Sequence, residues 1–198
     1  MYDSMAGVLR HNGQKFANKI AIYYEGREIT FGQYLSRCEQ GAATLASLGL
    51  RKQDRVAVMS QNRPEFLEIY GAAELAGYIV ATVNFRLAAG EVEAILRSSQ
   101  PKVVFFEAQY APMFEEMKER LEFVQHFVSF GASFSWAEVY DTFVSGCPAA
   151  DTAPPEPDDI LHLIYTSGTT AQPKGVIRSH RAEVAAADLL ATEAGLGI

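Results

Sequence analysis

Short apolar runs alternate with segments of helical periodicity along most of this chain, and that alternation limits the fold more than any other feature. Most of the runs are nearly continuous, as is typical of strands buried on both faces of a sheet. Such strands, separated by amphipathic helices, predict an α/β fold with a mainly parallel sheet and helices on both faces. The runs are Val56 to Met59, Tyr78 to Val83, Val103 to Phe106, Val124 to Phe130 and Ile160 to Tyr165.

The segment 20–30 predicts a β-hairpin that leads into a helix. Glu25 and Gly26 lie between two short runs rich in Ile and Tyr, and Gly accepts the positive φ that a tight turn needs. Thr30 can then cap a helix, with Gln33 reaching back in a capping box. The spacing of apolar residues in that helix places Cys38 on its buried face.

Later helices are indicated by proline, glycine and apolar spacing. Pro64 suits the first turn of a helix that ends at Gly77. Apolar residues at helical spacing predict further helices within 91–97, 113–121 and 136–144.

A proline-rich stretch at 146–159 interrupts this rhythm. Its prolines and its small or acidic residues favour an extended connector without a core of its own. We therefore expect an N-terminal α/β subdomain at 1–145, the connector at 146–159, and the start of the next subdomain at 160–198.

Charge and hydropathy disfavour several functions. With 17 Lys and Arg against 24 Asp and Glu, the formal net charge is -7, which argues against nucleic-acid binding. The most membrane-like stretch, 70–85, is shorter than a bilayer span and carries Glu74, so no transmembrane segment is expected. The N-terminus lacks the apolar run of a signal peptide. Cys38 and Cys147 have no second thiol nearby, and we expect reduced, structural thiols in a cytoplasmic protein.

The segment 166–175 has a composition suited to binding phosphate. It follows a buried strand, and it combines hydroxyl residues, glycines and a single lysine, Lys174. Hydroxyl and backbone N–H groups can donate to phosphate oxygens, small residues permit close approach, and the lysine adds positive charge. A solvated turn is the alternative that composition alone leaves open. A Walker A loop is disfavoured, because Lys174 precedes Gly175 and neither Ser nor Thr follows at Val176.

The stretch YTSGTTAQPKGV resembles the phosphate-binding signature of the adenylate-forming superfamily, which includes acyl-CoA synthetases, aryl-CoA ligases, luciferases and peptide-synthetase adenylation domains. The resemblance extends over about 20–180, since ITFGQYLSRCEQGAATLASLGL and EVEAILRSSQPKVVFF are similar to the N-terminal region of that family. It implies an N-terminal portion of an acyl-CoA synthetase fold.

The resemblance also implies which residues contact the nucleotide. Hydroxyls and backbone N–H groups of 166–170 would hold the β- and γ-phosphates, and Lys174 would offset negative charge as pyrophosphate departs. Ala171 stands where the family commonly has Gly, and a Cβ there costs on the order of 1 kcal/mol if the position needs positive φ. No residue is implied as a metal ligand. The implied contacts are Thr166, Ser167, Gly168, Thr169, Thr170 and Lys174.

In that family, a carboxylic acid attacks the α-phosphorus of ATP to give an acyl-adenylate and pyrophosphate, and the thiol of coenzyme A then displaces AMP. The resemblance therefore implies ATP, Mg²⁺ and coenzyme A, with a carboxylic acid as substrate. The segment VNFRL at 83–87 is similar to CoA ligases of fatty, aryl and other acids, whereas amino-acid adenylation domains tend to have Asp-Pro there.

The family's later elements, among them the ribose-binding Asp and the C-terminal domain with its catalytic Lys, have no counterpart up to Ile198. We therefore expect a chain that is catalytically incomplete and leaves an apolar face for self-association or a partner. A non-catalytic nucleotide-binding or assembly module of natural short length is the alternative. A phosphoryl-transfer enzyme, a third possibility, would release ADP.

The histidines favour structural roles over catalysis or metal binding. His180 follows the loop at a place where the resembling family often has His-Arg at a helix start, and His162 falls within an apolar strand. His11 and His126 have no partners at metal-ligand spacing.

Overall fold

The computed structural model of the protein describes residues 2–145, 152–166 and 174–195. Helices and strands alternate along it, as the apolar runs predict. The α-helices are α1 (Met5–Lys15), α2 (Phe31–Ser47), α3 (Pro64–Ala76), α4 (Ala89–Ser99), α5 (Ala111–Met117), α6 (Tyr140–Ser145) and α7 (His180–Glu193). The strands are β1 (Ile20–Tyr24), β2 (Arg27–Thr30), β3 (Arg55–Met59), β4 (Ile79–Thr82), β5 (Val103–Glu107), β6 (His126–Phe130), β7 (Glu138–Val139), β8 (Ile160–Thr166) and β9 (Lys174–Ser179).

Seven of these strands form one sheet in the order β7-β6-β5-β3-β4-β8-β9. Neighbouring strands are parallel except for β8 and β9, which pair antiparallel. The hairpin β1–β2 is a separate two-stranded sheet. The prediction of an α/β fold with a mainly parallel sheet is confirmed.

The sheet separates two apolar cores, because successive residues of a strand point to opposite faces. Val56 and Val58 of β3 belong to the first core, with side chains from α1, α2, α3 and α6. Ala57 and Met59 belong to the second core, with side chains from α4 and α5. Both faces of the sheet are therefore covered by helices, which is why the central strands carry apolar residues at successive positions.

The predicted hairpin and capping box are both present. Glu25 (φ 48°) and Gly26 (φ 79°) form the turn between β1 and β2, both in the left-handed region. The Gln33 N–H donates to Thr30 Oγ1 over 3.2 Å, and the Thr30 N–H donates to Gln33 Oε1 over 2.9 Å. Cys38 is fully buried on the inner face of α2, as predicted, while Cys147 lies outside the described residues.

The predicted helix at 136–144 is wrong in its first half. Trp136 precedes the short strand β7, and its ring stacks on Phe106 at a centroid distance of 5.4 Å and meets Phe127 edge-on. The helix begins only at Tyr140. Packing of Trp136 against the sheet and pairing of β7 with β6 outweigh the local helical spacing.

Strand β9 was not predicted. Its sequence, KGVIRS, is neither alternating nor continuously apolar. The first four residues, Lys174, Gly175, Val176 and Ile177, are all exposed. The strand exists because it pairs with β8 over its whole length. Since β8 in turn pairs with β4, the segment 160–179 continues the sheet built by the preceding residues. The proposed division at the connector 146–159 stays a prediction.

In the part of the chain described here, no helix is both long enough and apolar enough to cross a membrane.

Candidate functional site

The carboxyl ends of the parallel strands define the edge where a ligand is expected. In parallel α/β sheets, ligands bind in the crevice outside these ends. Strands β3, β4, β5 and β8 are mutually parallel, so Met59, Thr82, Glu107 and Thr166 all end at this edge. Thr166, the last residue of β8, therefore lies at the edge where a ligand is expected.

Thr166 and Lys174 face each other across the open end of the β8–β9 hairpin. They are Cα partners in the antiparallel ladder, and both residues are exposed. Directly opposite residues in such a pair have Cβ atoms about 5 Å apart on the same face. The hairpin thus places the backbone positions of a hydroxyl residue and a lysine side by side.

The Lys174 ammonium makes no hydrogen bond or ion pair with any residue that the structure describes. Its charge is therefore available to an anion. Arg63, by contrast, is held at the ends of β3 and β5 by two hydrogen bonds to Glu65 and an ion pair with Glu107. At this edge, the amino group at the start of β9 is the better candidate for binding phosphate.

Four of the predicted phosphate contacts, Ser167, Gly168, Thr169 and Thr170, lie outside the described residues, as does Ala171. Of the six predicted site residues, the structure therefore places Thr166 and Lys174, and it brings these two together. The contacts proposed for the other four stay predictions.

Gly175, next to Lys174, is a point of close packing. A Cβ at this position would lie 2.7 Å from Leu163 Cδ1 and 3.3 Å from Tyr165 Cζ, both on β8. The Tyr165 hydroxyl donates to Ser98 Oγ on α4 over 2.9 Å. These contacts tie the carboxyl end of β8 to both β9 and α4. Sequence reasoning assigned no role to Tyr165 or Ser98, because a cross-element hydrogen bond leaves no local pattern.

Polar and aromatic groups also meet on the other face of the hairpin. Tyr70 of α3 hydrogen-bonds Thr82 at the end of β4, and its ring contacts His162 of β8 at 4.8 Å between centroids. His162 Nδ1 lies 3.0 Å from Glu183 Oε1 on α7. Burial lowers the pKa of His162, so the imidazole is neutral at neutral pH.

His180 is the first residue of α7 and is completely buried. Burial lowers the pKa of His180 to about 4, and neither ring nitrogen has a hydrogen-bond partner in the described segments. A neutral ring enclosed by protein suits a packing role. His126 Nδ1 lies 2.8 Å from Glu138 Oε1 at the far side of the sheet. The described residues include no group of three or more His, Cys, Asp or Glu that could hold a metal ion.

The carboxyl group of Glu74, which faces this region from α3, predicts a pH dependence. The residue is partly buried, and no described residue bonds or pairs with its carboxyl group. Burial and, secondarily, the charge of Glu183 raise the pKa of Glu74 to about 8, from 4.5. The Glu74 carboxyl group therefore loses its proton at a lower pH in the unfolded chain than in the folded protein. The free energy of unfolding should fall by on the order of 2 kcal/mol as pH rises from about 5 to about 8.

Urea denaturation of Glu74→Gln at several pH values checks this expectation. The variant should lack the decline and should be more stable than the wild type at pH 8. Glu39→Gln, at an exposed position of α2, serves as the matched control and should keep the wild-type slope. Equal slopes for the wild type and Glu74→Gln would contradict the assignment.

Comparison with known proteins identifies the family of this chain. The sequence model of the family described as AMP-binding enzyme matches residues 9–196. A 3-methylmercaptopropionyl-CoA ligase from Ruegeria lacuscaerulensis is 33% identical over 183 residues, which are 88% of this chain and 34% of that protein. The chain thus spans about a third of the length of the curated relatives it matches.

Two solved structures share the fold. A protein described as a candidate long-chain-fatty-acid CoA ligase from Rhodopseudomonas palustris superposes with a TM-score of 0.90 at 28% identity, over 96% of this chain and 48% of that one. The anthranilate CoA ligase AuaEII, in complex with anthranoyl-AMP, gives a TM-score of 0.85 at 26% identity, over 90% of this chain and 35% of that one. With the match over 9–196, these likenesses show that the chain belongs to the AMP-binding enzyme family and has the N-terminal part of its acyl-CoA ligase fold.

Proposed function

We propose that this chain supplies the triphosphate-binding turn of an ATP-dependent, AMP-forming ligase that joins a carboxylic acid to coenzyme A. The observation that carries the proposal is the pairing of Thr166 with Lys174 at the carboxyl edge of the parallel strands. The Lys174 ammonium bonds with no residue that the structure describes. The CoA ligases among the relatives, and the acyl-adenylate bound to one structural neighbour, support it.

In the proposed reaction, the protein groups stabilise charge on the leaving pyrophosphate. The Thr166 hydroxyl can donate a hydrogen bond to a phosphate oxygen, and the Lys174 ammonium can form a charge-assisted one. Donors fixed at the ends of paired strands need little rearrangement as charge develops, which is the condition for electrostatic catalysis. We propose that Ser167, Gly168, Thr169 and Thr170 add further donors in the same turn.

We propose that Mg²⁺ enters with the nucleotide as MgATP. The described residues offer no cluster of three ligating side chains, so phosphate oxygens and water would supply most of the coordination. The cation would reduce the charge of the triphosphate. The proposed role of Thr166 and Lys174 is to orient the β- and γ-phosphates.

The substrate class rests on the resemblance of 83–87 to ligases of fatty, aryl and other carboxylic acids. In this segment, the Arg86 guanidinium lies over the Phe85 ring at 5.3 Å, and the Arg86 N–H donates to Asn84 Oδ1. The turn after β4 is therefore held by its own side chains. We propose a carboxylic acid substrate, coenzyme A as co-substrate and a cytoplasmic location.

A non-catalytic nucleotide-binding or assembly module is the second candidate function. Exposed apolar side chains on β9 and α7 favour it, among them Ile177 at 62% and Leu190 at 69% exposure. A surface of this kind suits association, and self-association of the chain stays a prediction.

ATP–pyrophosphate exchange distinguishes these functions. A longer protein that contains this segment should exchange labelled pyrophosphate into ATP in the presence of its acid and should release AMP. The 198-residue chain alone should bind nucleotide without exchange, because we propose that it is catalytically incomplete. Release of ADP would instead indicate a phosphoryl-transfer enzyme, and absence of exchange from the longer protein with every acid tested would favour the module.

A further inference from the structure

The register of the β8–β9 hairpin needs a specific determinant. Register is well specified where one face of a strand is buried, because a slip of one residue turns every side chain to the other face. The first four residues of β9 are all exposed, so burial gives this end of the strand no preferred register. Yet the pairing of Thr166 with Lys174 depends on that register.

A single carboxylate ties the base of the hairpin to the next helix. Glu183 Oε1 forms an ion pair with Arg178 Nε on β9 at 2.8 Å and lies 3.0 Å from His162 Nδ1 on β8. His162 and Arg178 are themselves Cα partners. Glu183 lies in the first turn of α7, where Ser179 Oγ accepts from the Ala182 N–H and caps the helix. Three consecutive elements therefore meet at one oxygen atom.

The three side chains are sufficiently buried for their contacts to contribute to stability. The side chains of His162 and Glu183 are only 12% and 17% exposed, and that of Arg178 is 37% exposed. A charge-assisted hydrogen bond in such a setting contributes more than an exposed ion pair, which is weakened by water and salt.

The charge state of His162 fits this arrangement. The other groups that interact with it are Tyr70, whose ring packs against the imidazole, His180 at the start of α7 and the two partners already named. Burial lowers the pKa of His162, so the ring is neutral at neutral pH. An ionised carboxylate only accepts, and therefore Nδ1 carries the hydrogen and donates to Glu183.

We propose that His162, Arg178 and Glu183 form a positioning triad that sets the register of β8 and β9 and thereby aligns Thr166 with Lys174. Each strand runs four residues from the triad to the site, a distance of about 13 Å. A slip of one residue at the triad would turn Lys174 away from Thr166. The inference rests on the proposed function, because alignment matters only if the two residues share a phosphate ligand.

Two measurements on the 198-residue chain test the triad. Glu183→Ala should raise the hydrogen-exchange rates of backbone amides at 174–179 about ten-fold and should weaken MgATP binding, measured by calorimetry, about ten-fold. Glu193→Ala, an exposed position near the end of the same helix, is the matched control and should change neither.

Variants at His162 separate positioning from general packing. Asn can donate from the position of Nδ1, whereas Leu has a similar volume to the imidazole without a donor. His162→Asn should therefore keep MgATP affinity within about two-fold, and His162→Leu should lose about as much as Glu183→Ala. The double variant His162→Leu with Glu183→Ala should lose little more than either single one, because the residues act as a unit.

The possible results distinguish failure of the proposed function from failure of the triad. No MgATP binding by the wild type would defeat the proposed function itself. Wild-type binding that Glu183→Ala leaves unchanged, or equal binding by the Asn and Leu variants at 162, would overturn the triad while leaving the proposed function in place.

Discussion

If the proposed function holds, replacing Lys174 with Ala should lower ATP–pyrophosphate exchange by a longer protein that contains this chain about 100-fold or more. The ammonium is exposed at the start of β9 and has no protein counter-ion among the described residues, so its charge is available for the triphosphate. Removal of one preorganised donor to a developing anion typically costs a factor of 100 to 1,000 in rate. Initial rates of exchange, measured at saturating acid, give the factor directly.

Two further variants show whether the loss of exchange rate comes from the charge at position 174. Lys174→Arg keeps the positive charge with a different geometry and should retain part of the rate, because guanidinium and ammonium differ in shape and hydration. Lys118→Ala, which removes only an ion pair with the exposed Glu119, should leave the rate unchanged. An exchange rate for Lys174→Ala within about two-fold of the wild type would exclude a role for this lysine in pyrophosphate departure.

Replacing Gly71 with Val should destabilise the fold by about 3 kcal/mol or more. Helices α2 and α3 cross closely at this glycine, and a Cβ there would overlap Cys38 Sγ and lie 3.0 Å from Tyr34 Oη. The core at this crossing is fully buried, so the added atoms would force the helices apart. Overpacking of a close-packed core costs about 1–3 kcal/mol and sometimes more. The free energy of unfolding from urea denaturation measures the loss.

The smaller substitution Gly71→Ala, combined with Cys38→Ala, tests whether overlap with Cys38 causes the loss of stability. Cys38→Ala removes the sulfur that Gly71→Ala would overlap, so the double variant should be more stable than the sum of the two single effects predicts. Gly90→Ala is the control, because the space around Gly90 in the first turn of α4 is open and Ala favours helix. Additive effects of Gly71→Ala and Cys38→Ala would contradict overlap with Cys38 Sγ as the cause.

Burial made most of the fold predictable. Strands β3, β4 and β5 lie in apolar runs because both faces of the sheet are covered there, and the capping box at Thr30 and the proline at the start of α3 depend on local chemistry alone. Strand β9 lacks such a pattern, since it lies at an edge and is stabilised by pairing with β8. The misplaced start of α6 has a related cause, because distant aromatic side chains determine where Trp136 packs.

The candidate site was recognised from the sequence for a different reason. The signature at 165–176 is continuous in sequence, so it could be recognised without the fold. The contacts that position it are not continuous. Tyr165 with Ser98, and Glu183 with His162, join residues far apart in the chain, and no local pattern signals a hydrogen bond between separate elements. Sequence therefore indicated the candidate phosphate contacts, and the structure was needed to find their supports.

Calorimetric titration of the 198-residue chain with MgATP tests the central claim most directly. The account predicts saturable binding at one site per chain, with an affinity at least about ten-fold weaker for Lys174→Ala, since a charged hydrogen bond to phosphate contributes about 1.5–3 kcal/mol. The absence of binding heat from the wild type, or identical affinities for the wild type and Lys174→Ala, would contradict the claim that the β8–β9 turn binds the triphosphate.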